Sequence, residues 1–467
     1  MHVLFAAAEL APLVKVGGLG EAACGLLRCL RASGHRVDVV VPDYGPSERE
    51  LDPTPPRPVA VPAWAGPASV RTFSLDGFGA VHAIDVPGMR RHHPYMHIGT
   101  GEGWADNDRR FFAFSAAVSA LAHELRPDVV HLNDWHTATA LASLDPSIPT
   151  VFTIHNLAYQ GWADRGWLDA LGPRRDAFLF AGDCNPMAGA IRLAHRIVAV
   201  SPNYATEIQR PEHGEGLDAL LVQHAGKVVG IRNGIDTERW NPALDELLPA
   251  NFSVTEPAGR EICNKELRLL TGFDQDDQPV IGVVARMVAQ KGIDVALDLA
   301  PLLAHMPAHM VLIGDGDPAL TAMARAAADR HPDRVWFSPY SDYAAHLVVA
   351  GSDLMLIPSR FEPCGLTQME SMAYGTVPVV TGVGGLRDTV VDADTHPGRG
   401  TGFVADAVDR LHVVDALHRA LRASRNRRRW GAIRRRGMQI DWSWQQPGAG
   451  HIAVYDEVAA ELAAGGA

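Results

Sequence analysis

The feature that most constrains this chain is a rhythm. Short β-branched apolar runs alternate with Ala- and Leu-rich stretches, and the whole pattern starts twice. Residues 37–41, 129–132, 150–154 and 197–200 are mainly apolar runs, interrupted only by Asp38, His131, Thr150 and Thr153 and without strict alternation, the signature of parallel strands buried on both faces. Residues 20–32, 108–125 and 189–194 read as helices between them. The Pro- and Gly-rich tract 53–86 predicts a hairpin-like excursion, and 241–259, with Pro242, Pro249 and Pro257, reads as a linker. Strands then recur at 280–284, 310–313, 335–337, 354–357 and 377–380. Helices are expected at 293–303, 318–328 and 344–350, with terminal helices from Leu417 onward. Two successive strand–helix–strand series predict two doubly wound α/β domains facing each other.

Composition narrows the classes of function. A length of 467 residues exceeds one ordinary core and leaves room for two or three domains. With 47% hydrophobic and 21% charged residues, collagen-like, disordered and disulfide-scaffold classes are excluded. Lys and Arg number 42 against 54 Asp and Glu, a formal charge of −12, which argues against nucleic acid as a partner but permits a small cationic pocket. The five cysteines (Cys24, Cys29, Cys184, Cys263, Cys364) form neither a CxxC nor a zinc spacing, so no structural zinc site is expected. Sparse, unpaired thiols point to the cytoplasm. The apolar opening lacks a basic leader and is interrupted by Glu9, so it reads as a buried first strand and not as a signal peptide. No run reaches the roughly 18–20 apolar residues of a membrane helix.

Four motifs could carry chemistry. Lys15-Val16-Gly17-Gly18 follows the first strand and opens a helix, where glycine N–H groups and the helix start favour an anion. A tight turn without a ligand is the competing reading. Asn133-Asp134-Trp135-His136 and Thr153-Ile154-His155-Asn156 both follow strands, at the edge where open α/β sheets hold ligands. Their Asp, His and Asn suit sugar hydroxyls, and Trp135 could pack on a sugar face; the competing reading is a His that caps a loop. Arg286 and Lys291, five residues apart on a loop entering a helix, could neutralise a diphosphate, or be solvated surface charge. The run Ser359-Arg360-Phe361-Glu362-Pro363-Cys364-Gly365-Leu366-Thr367 follows a strand and enters a helix expected to begin near Leu366. There Glu362 would project from the loop and the Leu366 and Thr367 amides would face an anion. Solvated charge is the competing reading for Glu362, and more so for Glu370. Cys364 has no base fixed beside it, which favours a packing or contact role.

At these residues the chain resembles the bacterial glycogen synthase and plant starch synthase family of retaining glucosyltransferases. The resemblance spans nearly the whole length and is carried by KVGGLGE, NDWH, TIHN, VAVSPNYATEI, GEGLD, GIRNGIDTERWNP, ARMVAQKG, SRFEPCGLTQ and DWSW. It implies a GT-B architecture, two Rossmann-like domains with the active site in the interdomain cleft. The expected limits are 1–242 for the acceptor-side domain, 243–449 for the nucleotide-sugar domain, and 450–467 for a helix returning to the first. It also implies glucose transfer from ADP-glucose to glycogen or a maltooligosaccharide, with no cofactor and no metal.

By resemblance, Lys15, Gly17 and Gly18 approach the donor phosphates and the acceptor. Arg286, Lys291 and the amides of Leu366 and Thr367 hold the leaving diphosphate, alongside Cys364 and Gly365. His155 and Asn233 contact the donor glucose, Asp134 the acceptor, and Glu362 the hydroxyls beside the reacting carbon. Tyr340 matches an adenine-stacking position. Glu370 completes a Glu-x7-Glu spacing that binds ribose in wider retaining GT-B families. Catalysis is expected to rest on Glu362, His155, Lys15, Arg286 and Lys291. Four departures stand out: Glu21 where the family usually has Asp, Thr381 and Val383 for Arg and Thr, Arg232 at a usually apolar place, and a loose match over 178–188. They bear on acceptor and rate, and leave two further readings: a related transferase with a sugar-phosphate acceptor, and a weakly active glucan-binding paralogue.

Overall fold

A computed structural model describes residues 1–45, 53–98 and 101–465. The expectation for 53–86 therefore falls within the described residues. The chain divides into two compact units, Met1–Gly234 with Trp444–Ala467, and Ile235–Ser443.

The first unit is built on β1 (His2–Ala6), β2 (Arg36–Pro42), β3 (Arg57–Val59), β4 (Ala68–Leu75), β5 (Gly79–Asp85), β6 (Val129–Asn133), β7 (Thr150–Ile154), β8 (Leu179–Phe180), β9 (Asp183–Cys184), β10 (Arg196–Ala199) and β11 (Val228–Gly230). Apart from the β8–β9 ribbon they form one sheet, in the order β11-β10-β7-β6-β1-β2-β5-β4-β3. The Pro- and Gly-rich excursion is an antiparallel β4–β5 hairpin, and its second strand pairs in parallel with β2. The excursion thus widens the main sheet instead of standing off it. The core joins Phe5, Leu27 and Leu30 to Trp444, Val454, Tyr455 and Val458 of the returning C-terminal segment. Gly25 makes that return possible, because a Cβ there would sit 1.9 Å from the Trp444 indole nitrogen. Each such fully buried side chain contributes about 1.5–3 kcal/mol, enough in sum to hold the helix Gln445–Gly465 on the first unit.

The second unit carries β12 (Val280–Val284), β13 (His309–Ile313), β14 (Val335–Ser338), β15 (Leu354–Ile357), β16 (Val377–Thr381) and β17 (Phe403–Ala405). All are parallel, in the order β14-β13-β12-β15-β16-β17. Numbered within the unit this is 3-2-1-4-5-6, the dinucleotide-fold order, whose switch point lies between β12 and β15.

The units part earlier than the expected limits at 242 and 449. The cause is local packing. Trp240 stacks on His346 with ring centres 4.0 Å apart, and the Asp245 carboxylate accepts from His346 Nδ1 (2.7 Å) and the Tyr374 hydroxyl (2.6 Å). The Pro-rich stretch read as a linker is therefore bound into the second unit from its start.

Candidate active site

In the first unit the predicted residues gather at the carboxyl ends of β1, β6, β7 and β11. Asp134 follows β6 with φ 53° and ψ 179°, a region that strains any residue with a Cβ. Its Oδ1 accepts from the His155 amide (2.8 Å) and the Asn156 amide (3.4 Å), so the strained turn joins two strand ends. Asn133 fixes the neighbouring imidazole. Its Nδ2 donates to the Ala6 carbonyl (2.9 Å), which leaves Oδ1 to accept from His155 Nε2 (2.9 Å). Nε2 therefore carries the proton and Nδ1 keeps a lone pair. Burial, with His451 beside it, holds the His155 pKa down at about 3, so the ring is neutral and Nδ1 is an acceptor. Asn233 and His155 line one small cavity together with Asn133, Thr153 and His451.

Burial pushes the Asp134 pKa from 3.8 up to about 7; the two amides oppose the rise and the Glu9 charge adds to it. An acid whose folded pKa is raised contributes stability at low pH that is lost as pH climbs from about 4 through about 7. The neutral rings of His136, His155 and His451 act in the opposite sense, losing stability as pH falls below 6.5. A difference measurement separates the two. Asp134→Asn keeps the acceptor oxygen and has no charge. Its urea-unfolding free energy, less that of the parent at each pH, is expected to rise between about pH 4 and 7 and then level off. Parallel curves would mean that Asp134 ionises normally.

The Lys15 loop is organised by a residue the motifs did not flag. Glu9 Oε2 accepts from the Val16 and Gly17 amides (2.8 and 2.9 Å), and its Oε1 accepts from the Tyr95 hydroxyl (2.7 Å). The Gly17 amide, expected to approach a phosphate, is thus engaged by an internal carboxylate. Gly18 opens the helix Gly18–Ala32, and Lys15 Nζ pairs with Glu21 Oε1 at 2.5 Å. The extra methylene of Glu21 is therefore used to reach Lys15. Trp135 also differs from expectation. Its ring stacks on His136 with centres 4.3 Å apart, and Gly161, at φ 74°, lies so close that a Cβ would come within 2.3 Å of the indole. One of its faces is already taken by protein.

In the second unit the site straddles the switch point. After β12, Arg286 is exposed, and Lys291 ends a short 3₁₀ turn at Ala289–Lys291. After β15, Glu362 is buried, not projecting, and its Oε2 accepts from Lys291 Nζ (2.6 Å) and the Ser359 hydroxyl (2.9 Å). Solvated charge is excluded for Glu362, and for Glu370, which is buried in the helix Thr367–Ala373. Leu366 caps that helix, so both proposed amides sit at its start. Gln368 Nε2 ties the turn by donating to the Cys364 and Gly365 carbonyls (3.1 and 2.9 Å), and Cys364 is buried and in no disulfide. Tyr340 follows β14 and is 44% exposed, its amide donating to Asp315 Oδ2 (3.0 Å) and its hydroxyl to Asp342 Oδ1 (2.8 Å).

The loop bearing Glu362 is clamped from β16. Thr381, at a position where the family usually has Arg, is fully buried and donates its hydroxyl to the Ser359 carbonyl (2.6 Å). The Gly385 amide donates to the Glu362 carbonyl (3.0 Å). A Cβ on Gly384 would fall 1.9 Å from the Glu362 carbonyl oxygen, and one on Gly385 would fall 2.1 Å from that of Cys364. The second VGGL run is therefore a packing surface for the Glu362 loop. Gly385→Ala is expected to displace that loop and lower kcat by about 10²-fold, with the fold retained by circular dichroism. Normal turnover would remove the clamp from the account.

Sequence reasoning assigned no role to Glu9, Ser359, Gln368 or Thr381, and placed Asn133 among hydroxyl-binding groups without its hold on His155. All but Gln368, which lies in the helix Thr367–Ala373, sit at or just beyond the carboxyl end of a parallel strand, the one signal that could have found them. Among the described residues no group of three or more His, Cys, Asp or Glu is placed to hold a metal ion, and no helix is long and apolar enough to cross a membrane.

Two Rossmann-like units, the second with a cation–carboxylate pair at its switch point, define a glycosyltransferase of the GT-B class. The starch synthase catalytic domain matches residues 2–223 and glycosyl transferases group 1 matches residues 272–436. Glycogen synthases from Anaeromyxobacter sp. (strain Fw109-5) and Halorhodospira halophila are each 39% identical to this chain, covering 98% of it and 100% and 99% of their own lengths. The catalytic domain of starch synthase IV from Arabidopsis thaliana, solved bound to ADP and acarbose, superposes with a TM-score of 0.89 at 31% identity, covering 98% of this chain and 99% of that one. Sucrose-phosphate synthase from Thermosynechococcus elongatus, 18% identical with a TM-score of 0.65 over 98% of this chain and 99% of its own, shares the fold. The chain belongs to the glycogen synthase family.

Proposed function

We propose that this enzyme transfers glucose, with retention, from ADP-glucose to the non-reducing end of an α-1,4-glucan, in the cytoplasm and without a metal or other cofactor. The observation that carries the reading is the pair formed by the part-buried Lys291 and the buried Glu362 at the switch point of the second unit. Breaking the C1–O bond gathers negative charge on the diphosphate and positive charge on the sugar ring. Lys291 has three N–H groups and gives one to Glu362, so two remain for the diphosphate, beside the exposed Arg286. Glu362, with its second oxygen, is the counter-charge for the ring and an acceptor for its hydroxyls. His155 Nδ1 and Asn233 take further donor hydroxyls, Asp134 takes the acceptor, Lys15 approaches both, and Tyr340 stacks on adenine with Glu370 toward the ribose.

Purified protein with glycogen and ADP-glucose should release ADP at the same rate with and without EDTA. No glucosyl transfer from ADP-, UDP- or GDP-glucose would end the reading. Loss of activity in EDTA would end its metal-free part. Product masses with glucose 1-phosphate and with maltooligosaccharide, run side by side, separate a glucan acceptor from a sugar phosphate.

A further inference from the structure

The helix that returns to the first unit, Gln445–Gly465, buries a polar pair where apolar side chains alone would dock it. His451 and Tyr455 are four residues apart and share one helix face with Val454 and Val458, all of them buried. A buried polar group costs stability unless it is hydrogen-bonded. Tyr455 meets that condition through a chain of bonds. Its hydroxyl lies 2.7 Å from His131 Nδ1, and His131 Nε2 lies 2.7 Å from the Thr153 hydroxyl. Tyr455 has no other hydrogen-bond partner among the described residues, so its proton goes to Nδ1. His131 Nε2 then donates to Thr153, whose own O–H is left over near the end of β7. His451 does not meet the condition: its Nδ1 is buried with no hydrogen-bond partner among the described residues. Burial holds the pKa of this ring down at about 4, so it is neutral, with one nitrogen to donate and one to accept.

Both arms of this polar pair end on the same small cavity. It measures about 10 Å³, and its polar wall is Asn133, Thr153, His155, Asn233 and His451. Asn133 is already committed to the Ala6 carbonyl and to His155 Nε2. Thr153, Asn233 and His451 are left to bond a guest, and one water needs about 10–15 Å³ and two to four polar partners. We infer that His451 is a positioning residue for glucosyl transfer: through one water in this cavity it fixes the Asn233 amide that meets the donor glucose. The reason lies in the asparagine side chain. Its last torsion is broad and roughly two-fold, so an amide without a fixed partner presents oxygen and nitrogen to the sugar almost equally. A water held by His451 and Thr153 selects one of the two orientations, which makes the C-terminal helix part of the donor pocket and not only a strap around the first unit. The link rests on the reading above that Asn233 contacts the donor glucose.

Calorimetry of the full-length protein with ADP-glucose and with ADP separates the sugar contact from the nucleotide contacts. His451→Phe keeps a ring of similar volume and has no ring nitrogen. Its affinity for ADP-glucose should fall about 10-fold, the loss of about one hydrogen bond, with ADP affinity within about 2-fold of the parent. In the transfer assay KM for ADP-glucose should rise by a similar factor, and KM for the glucan should not. His451→Asn, whose amide reaches the place of Nδ1, should bring ADP-glucose affinity back to within about 3-fold of the parent. A crystal structure of the parent should show one ordered water bonded to His451 Nδ1 and to the Asn233 side chain. No water there overturns the link, and so does unchanged ADP-glucose affinity in His451→Phe. Equal losses for ADP and ADP-glucose, or a loss in His451→Asn as large as in His451→Phe, also overturn it, because the ring would then serve the fold alone. If the parent neither binds ADP-glucose nor transfers its glucose, the function reading falls, while the crystal structure still decides the His451–Asn233 contact. Should His451→Phe fail to fold, His451→Leu is read in the same way.

Discussion

Glu362→Ala is expected to lower kcat by about 10²–10³-fold while ADP still binds at least as tightly as to the parent. The two halves of this result have separate causes. The turnover loss follows from removing the buried carboxylate that faces positive charge on the ring, at a place where few waters compete. The retained ADP affinity follows from Lys291, whose ammonium loses its partner at 2.6 Å and turns fully to the diphosphate. Steady-state kinetics and ADP calorimetry on the same preparation check both halves, with thermal unfolding to verify the fold. A kcat within a few-fold of the parent would take Glu362 out of the chemistry. Weaker ADP binding would mean the carboxylate mainly positions Lys291.

The parts of the fold legible in the sequence are those written as long apolar runs. β12, β13, β15 and β16 are buried on both faces, so their residues read the same in any register and their ends lie within a residue of expectation. β17 and β11 are not legible. Each has only three residues, and each owes its strand conformation to pairing with a neighbour, β16 and β10 respectively. Periodicity makes 293–303 one continuous helix, yet it breaks into Ile293–Leu297 and a 3₁₀ turn at Ala300–Ala304, because Pro301 cannot donate into a regular helix.

The site is legible in its residue types and less so in their partners. Motif spacing places Lys291 and Glu362 on different loops, 71 residues apart, and nothing in that spacing says they meet. Strand order brings them together, because the β12–β15 adjacency is a long-range fact. Glu9 shows the reverse problem. In sequence it only interrupts an apolar opening, whereas in the fold it fills the amide pocket of the glycine loop. A buried carboxylate needs such donors, so a Glu inside a strand-end run marks a nearby set of unpaired amides. The departure at Thr381 gains meaning the same way: where a cation would reach outward, a short hydroxyl closes the turn under Ser359.

Lys291→Ala gives the second large effect, and its pattern differs from that of Glu362→Ala in sign. ADP affinity is expected to fall by about 10–10²-fold, since a charge-assisted contact to phosphate is lost. The kcat falls as well, because developing negative charge on the leaving diphosphate loses its nearest fixed cation. Stability also suffers. Without the ammonium, the Glu362 carboxylate keeps only the Ser359 hydroxyl among the contacts described above, and breaking one side of a buried pair destabilises by about 3–5 kcal/mol. Lys291 is 20% exposed, so solvent screening places the effect toward or below the lower end of that range. Replacing both partners removes the orphaned charge, so a Lys291→Met, Glu362→Gln double variant should melt above Lys291→Ala while remaining inactive. Thermal unfolding and ADP calorimetry on the three proteins decide the matter. If Lys291→Ala bound ADP normally, the ammonium would serve Glu362 alone, and the diphosphate would have to be held by Arg286 and the amides at Leu366 and Thr367.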